Sequence, residues 1–206
     1  DEAWRLQYRT DLAALPDYEE GYYHYGGAGR GAPVNEDGTP VYHRLPPSWA
    51  DAQSDGERWR WALGQMAALG LDREARREFA AFLDHQFGVR TLAGQAWMQR
   101  DAEDDTRKDE SGVWALHTLA EDETIARLAC GVRRFRMPDE FNFIRLYQDL
   151  GATPGAWQDQ ALDALAGIFE DRRQYPRAAE YWRLSIQLRP EERKTRRLEQ
   201  IVANWG

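Results

Sequence analysis

The sequence predicts an all-α fold, an array of antiparallel helical hairpins behind a Gly/Tyr-rich N-terminal loop. Three observations predict it. Apolar residues recur at i, i+3, i+4 and i+7 through most of the chain after residue 55. Gly or Pro interrupts each stripe where a helix would end or begin. In residues 161–190, two amphipathic segments are joined by a tight polar turn, with small residues where two helices must approach closely.

Residues 1–15 read as a helix with Trp4, Tyr8, Leu12 and Leu15 near one side, ended by Pro16. Residues 18–47 hold the densest Gly, Pro and Tyr of the chain. Asp37-Gly38, between Val34 and Val41-Tyr42, suits a tight turn joining two very short strands, because Gly accepts positive φ. The run Gly26-Gly27-Ala28-Gly29-Arg30-Gly31 lacks the preceding strand, the Gly-Lys-Ser/Thr and the following helix of a phosphate cradle, and reads as a glycine loop. The expected division is therefore 1–47, N-terminal helix and loop, and 48–206, helical hairpins.

Residues 47–69 read as a helix, strongest after Asp55, with Trp59, Ala62, Leu63, Met66 and Ala67 inward and Gly70 as its stop. Residues 72–87 follow at once, with Ala75, Phe79, Phe82 and Leu83 inward and Gly88 as cap. Residues 92–99 read as a short helix, and the charged run 100–112 as a solvated loop. Thr118-x-x-Glu121 has the form of a capping box. Ile125, Leu128, Ala129, Val132 and Phe135 behind it predict a helix. Pro138 opens the next one, with Phe141, Ile144, Tyr147 and Leu150 inward, ended by Gly151 and Pro154.

Leu162, Leu165, Ala166 and Phe169 form the first stripe of the central hairpin. Residues 172–175 break it, Pro176 suits a first helical turn, and Ala178, Ala179, Trp182, Ser185 and Ile186 form the second stripe, closed by Pro190. The spacing resembles a tetratricopeptide repeat, a helix–turn–helix of about 34 residues. The resemblance covers residues 157–190 and places Leu162, Leu165, Ala166, Phe169, Ala178, Trp182, Ser185 and Pro190 on the repeat's core positions. Leu162 stands where Trp is commoner, and Arg173 where Gly often sits. Residues 121–150 then read as a degenerate repeat. Residues 191–205, with Leu198, Ile201, Val202 and Trp205 inward, read as the helix that covers a solenoid's last apolar face.

Composition narrows the function. Hydrophobic content of 42% and nine Trp in 206 residues exclude a disordered chain. A net charge of −8 argues against nucleic acid or anionic membrane as the main partner. No run approaches the ~18 apolar residues of a membrane span, and no signal-peptide pattern is present. A start at Asp1 rather than Met fits a processed or excised piece and leaves an exported origin open. The single Cys130 forms no intrachain disulfide. Lys108 and Lys194 are the only lysines. His24, His43, His85 and His117 are scattered and do not have zinc spacing, so no metal and no cofactor is expected. Glu121, Asp122 and Glu123 are accounted for as acids at a helix N-terminus. No nucleophile–base motif appears, so catalysis is not expected.

In a repeat of this kind, the outward positions of the first helix line the inner groove. Here they are Gln160, Asp163, Gly167, Glu170 and Asp171, an acidic set suited to a basic or polar ligand rather than a carboxylate. A second resemblance spans most of the chain. Residues 1–23, 54–63, 115–150 and 200–206 are similar to a helical region of very large bacterial alpha-2-macroglobulin-like proteins. That family's thioester motif, Cys-Gly-Glu-Gln, is missing, since Cys130 is followed by Gly131, Val132 and Arg133. The resemblance implies an accessory scaffold within a longer exported protein, periplasmic or secreted, and not the trap itself.

The expectation is a non-catalytic protein–protein interaction module, or an intramolecular docking domain, whose partner is a protein, a peptide or another part of the same polypeptide. Two rival readings remain. One is an enzyme with a site between the N-terminal loop and the helices. The other is a carbohydrate- or peptidoglycan-binding module using Tyr22, Tyr23, Tyr25 and Tyr42.

Overall fold

The computed structural model describes residues 39–89, 115–128 and 131–205. The expected helix 1–15, the glycine loop, Tyr22, Tyr23, Tyr25, His24, the segment 92–112 and Cys130 lie outside the described residues. So does most of the expected hairpin near residue 37, of which Thr39–Tyr42 retain an isolated bridge at Pro40 and no strand. The described residues are mostly helical. They comprise six α-helices, α1 Asp55–Ala68, α2 Asp72–Phe87, α3 Phe143–Ala152, α4 Gln158–Asp171, α5 Tyr175–Leu188 and α6 Glu192–Trp205. They also contain one two-stranded sheet, β1 Glu123–Leu128 with β2 Gly131–Arg136.

The chain divides into two compact units, Asp1–Phe79 with Ile125–Phe135, and Ala80–Thr124 with Arg136–Gly206. In the first, α1 starts at Asp55 rather than near residue 47. Ser54 accepts a hydrogen bond from the Glu57 N–H, and Glu57 returns one from the Gln53 N–H, so the first turn is capped there. Gly70, at φ +89°, lets the chain turn between α1 and α2. The two helices meet through Phe79, which lies 6.2 Å from the Trp59 ring and under the Arg60 guanidinium at 3.5 Å. Leu63, Ala75 and Phe79 are buried as predicted.

In the second unit α3 packs on α4, α4 on α5 and α5 on α6. Asn142 caps α3 by accepting from the Ile144 and Arg145 N–H groups. Phe141, Ile144, Tyr147 and Leu150 are buried, as their spacing predicts. A Cβ at Gly151 would meet Leu162 at 3.1 Å, so glycine lets α3 approach α4 closely. Leu162, Leu165, Ala166 and Phe169 on α4, and Ala178, Ala179, Trp182 and Ser185 on α5, are all buried. Pro190 stays exposed beyond the end of α5. Phe169 stacks on Tyr181 with ring planes 3° apart.

The turn between α4 and α5 closes as a Schellman motif. The Gln174 N–H donates to the Phe169 carbonyl and the Arg173 N–H to that of Glu170, both at 2.8 Å. Arg173 takes φ +56°, a left-handed conformation.

The helix predicted behind Thr118 is not formed; Glu123–Leu128 and Gly131–Arg136 are the two strands. Thr118 is not a helix cap either, because its hydroxyl donates to the Ala115 carbonyl at the end of a short 3-10 turn. The physical reason lies in the carbonyls. Arg172, at the end of α4, donates to Ala120 O at 2.9 Å and Glu123 O at 2.8 Å, oxygens a helix would need for its own N–H groups. Thr124 donates to the Phe87 carbonyl, and the Met137 N–H to Asp122 O, closing the ends of the strand pair. Gly131 and the β-branched Thr124, Ile125 and Val132 favour the extended chain. Residues 121–136 therefore do not form the first helix of a degenerate repeat.

Candidate functional site

Charged side chains are concentrated where α6 meets α4 and α5. The inner stripe of α6 is Lys194, Arg197, Leu198 and Ile201, at i, i+3, i+4 and i+7. Two of these four positions are cations. Lys194 is completely buried and Ile201 is 2% exposed, while Arg197 and Leu198 are half-buried. Val202, expected inward, is exposed.

The ammonium of Lys194 has three N–H donors, and three acceptors surround it. Asp159 Oδ1 is at 2.5 Å, Ser185 Oγ at 2.7 Å and Asp163 Oδ1 at 3.1 Å. Ser185 passes the chain of hydrogen bonds on, donating to Asp163 Oδ1 at 2.5 Å. The outer oxygen of Asp163 takes Arg193 at 2.9 Å, and that of Asp159 faces Arg189 at 3.6 Å. Burial by itself would raise the Asp159 carboxyl, but the hydrogen bond and charge of Lys194 outweigh it and hold the group below the usual aspartate value. Arg193 is pushed up, first by its hydrogen bond to Glu191 and then by Asp163.

About two helical turns beyond Asp163 along α4, Glu170 is 5% exposed and fully engaged. Its Oε1 accepts from the Trp182 indole N–H at 2.5 Å, and its Oε2 from Arg197 Nε at 2.7 Å and Nη2. The terminal helix is thus bound by carboxylates of α4, on a bed completed by Ser185 and Trp182 of α5.

The five residues expected to line an open groove do not share one open face. Gln160 is exposed, and Gly167 and Asp171 are half-buried. Asp163 is occupied by Ser185, Arg193 and Lys194, and Glu170 is buried. An acidic face suited to basic groups does exist around Asp163 and Glu170, but this chain's own α6 lies on it. Asp159 and Lys194 were not singled out by the sequence, although the i, i+3, i+4, i+7 spacing that includes Lys194 was there to be read. Ser185, read as a small packing residue, also serves as a hydrogen-bond relay.

A second polar centre surrounds Arg172, buried at the end of α4. Burial pushes its guanidinium down to about 10, opposed by Asp84 and Glu121. Glu121 pairs with Arg177 and accepts from Gln148 at 3.2 Å, and Gln148 also donates to Tyr181 at 3.1 Å. Asp122 and Glu123 face Arg136. Each of the three acids is held by a structural partner.

In the other unit, a cleft of about 140 Å³ is walled by Leu45, Leu63, Ala67, Ala75 and Phe79, with Arg60 among its lining residues. Burial raises the Tyr42 hydroxyl to about 12. Among the described residues, no cluster of three or more His, Cys, Asp or Glu has the arrangement of a metal site. No helix there is long and apolar enough to cross a membrane. The chain matches no family model, curated protein or solved structure.

Proposed function

We propose that the chain is a non-catalytic docking domain, working either between proteins or within one longer polypeptide. In this reading α4 and α5 form a tetratricopeptide-like repeat and α6 is the helix that covers it. The observation that carries the reading is the seating of a basic helix on the acids of α4, with Lys194 satisfied by Asp159, Asp163 and Ser185. Buried ion pairs contribute little net stability, because desolvation offsets the attraction, but they fix register and partner. A surface built this way is suited to selecting a helix of matching charge. The likeness to a helical region of alpha-2-macroglobulin-like proteins fits the same role, as an accessory scaffold in an exported protein.

Calorimetric titration with amphipathic helical peptides of basic, neutral and acidic faces tests the proposal. Binding confined to the basic set, and lost with Asp163→Lys plus Glu170→Lys, is the expected result. Equal binding of all three sets, or none by any of them, rejects it.

A further inference from the structure

We infer that the bed formed by α4 and α5 is a receptor for a basic amphipathic helix of a partner protein, presenting Lys-x-x-Arg-Leu-x-x-Ile, and that α6 is a self-ligand occupying it until displaced. This inference rests on the docking reading and names its ligand.

The composition of the contact is the first argument. A helix belonging permanently to a core buries an apolar stripe. The stripe of α6 is half cationic, and of its aliphatic members only Ile201 is fully buried. Its other tie to the acids of α4, from Arg193 to Asp163, joins a cation that is 64% exposed, where salt screens it.

Independence of the bed is the second. Leu165, Ala166 and Phe169 of α4 and Ala178 of α5 are buried, and α4 packs on α3 and α5. None of the four belongs to α6; what its departure uncovers is the bed itself, Trp182 and Ser185 of α5 with the acids of α4. The connection to α5 is short and exposed at Arg189 and Pro190.

The chemistry left behind is the third. With α6 removed, Asp159 loses Lys194, Asp163 loses Lys194 and Arg193, and Glu170 loses Arg197, while Arg189, Ser185 and Trp182 stay behind. An apolar helix would desolvate three carboxylates without replacing the cations they lost, and an acidic one would add like charge. A basic helix with cations three residues apart restores each bond. Specificity arises because wrong ligands are penalised more than the right one is favoured.

The test uses the full chain and a fluorescent peptide of residues 190–205 added in trans, read by anisotropy. Arg193→Ala with Arg197→Ala weakens the attachment of α6, and Lys194→Glu ejects it should hydrogen exchange show α6 still docked in the first variant. The peptide is expected to bind the weakened chain at least tenfold more tightly than the wild type, and to lose binding when it carries Lys194→Glu and Arg197→Glu. Equal affinity for both chains would overturn the self-ligand role and leave the docking reading intact. Absence of peptide binding to a chain whose α6 is detached would overturn both. A concentration-dependent dimer of the weakened chain would reassign the occupant to α6 of a second copy, overturning the partner-protein source.

Discussion

Lys194 and Ser185 lie 2.7 Å apart, and the serine hydroxyl turns the lysine's charge toward Asp163. Lys194→Met removes the cation while keeping the length of the side chain. Asp159 and Asp163 are then left close together without their shared cation. Breaking such a pair costs about 3 kcal/mol, and the loss should be confined to α6. Hydrogen exchange should rise across Glu192–Trp205 and stay low in α4. Adding Asp159→Asn and Asp163→Asn should recover part of the protection.

Acid should release the same helix. Against the opposing effect of burial, Lys194 holds the folded-state Asp159 carboxyl below the usual aspartate value. A depressed acid contributes stability that is fully present above its unfolded value and is lost as pH falls through the folded one. Attachment of α6 should therefore be constant above about pH 5 and weaken below about pH 4. Amide exchange of α6 followed from pH 6 to pH 3 checks the window, and Asp159→Asn should flatten this contribution.

Arg173 sits in a left-handed conformation that costs a non-glycine residue about 1 kcal/mol. Arg173→Gly should stabilise the chain by up to that amount, less the extra flexibility of glycine in the unfolded chain. The midpoint of urea unfolding should move up. A downward shift would mean that the arginine's own contacts outweigh the backbone cost.

Arg172→Met tests the polar centre at the end of α4. It takes one donor from each of the Ala120 and Glu123 carbonyls, although Ala120 O keeps the Glu123 N–H at 3.0 Å. A fall of about 1–3 kcal/mol in unfolding free energy is expected, with β1 and β2 losing exchange protection first.

Gly88→Ala should cost about 1–3 kcal/mol by overpacking. The new Cβ would lie 2.2 Å from the Asp84 carbonyl oxygen, and a backbone atom cannot give way as a side chain does. Thermal unfolding reads the effect directly.

The helices were legible wherever the apolar spacing was long and its ends were marked. Asp72–Phe87 came out with its observed limits because Gly70 and Gly88 flank it. The two helices α4 and α5 were readable from the spacing of Leu162, Leu165, Ala166 and Phe169 and of Ala178, Ala179, Trp182 and Ser185, all of them buried. Residues 123–136 were not, because a helical stripe and an extended strand can share the same few apolar positions. What decided between them was Arg172, about 50 residues away, binding two carbonyls. The acidity of the α4 face was equally plain in sequence, and so was its suitability for basic groups. Its occupation by α6 was not, because a lysine in a stripe ordinarily marks a solvent edge. Only three converging acceptors make that position an interior one.

The order of contacts along α6 gives it a direction under load. Lys194 lies beside the connection to α5, and Ile201 lies two turns further out. Tension applied at the C-terminal end would peel the aliphatic contact first, then Arg197, and reach Lys194 last. A helix loosened by thermal motion or by pull would stay moored at its root. It would also re-seat from there, like a strip fastened at one edge.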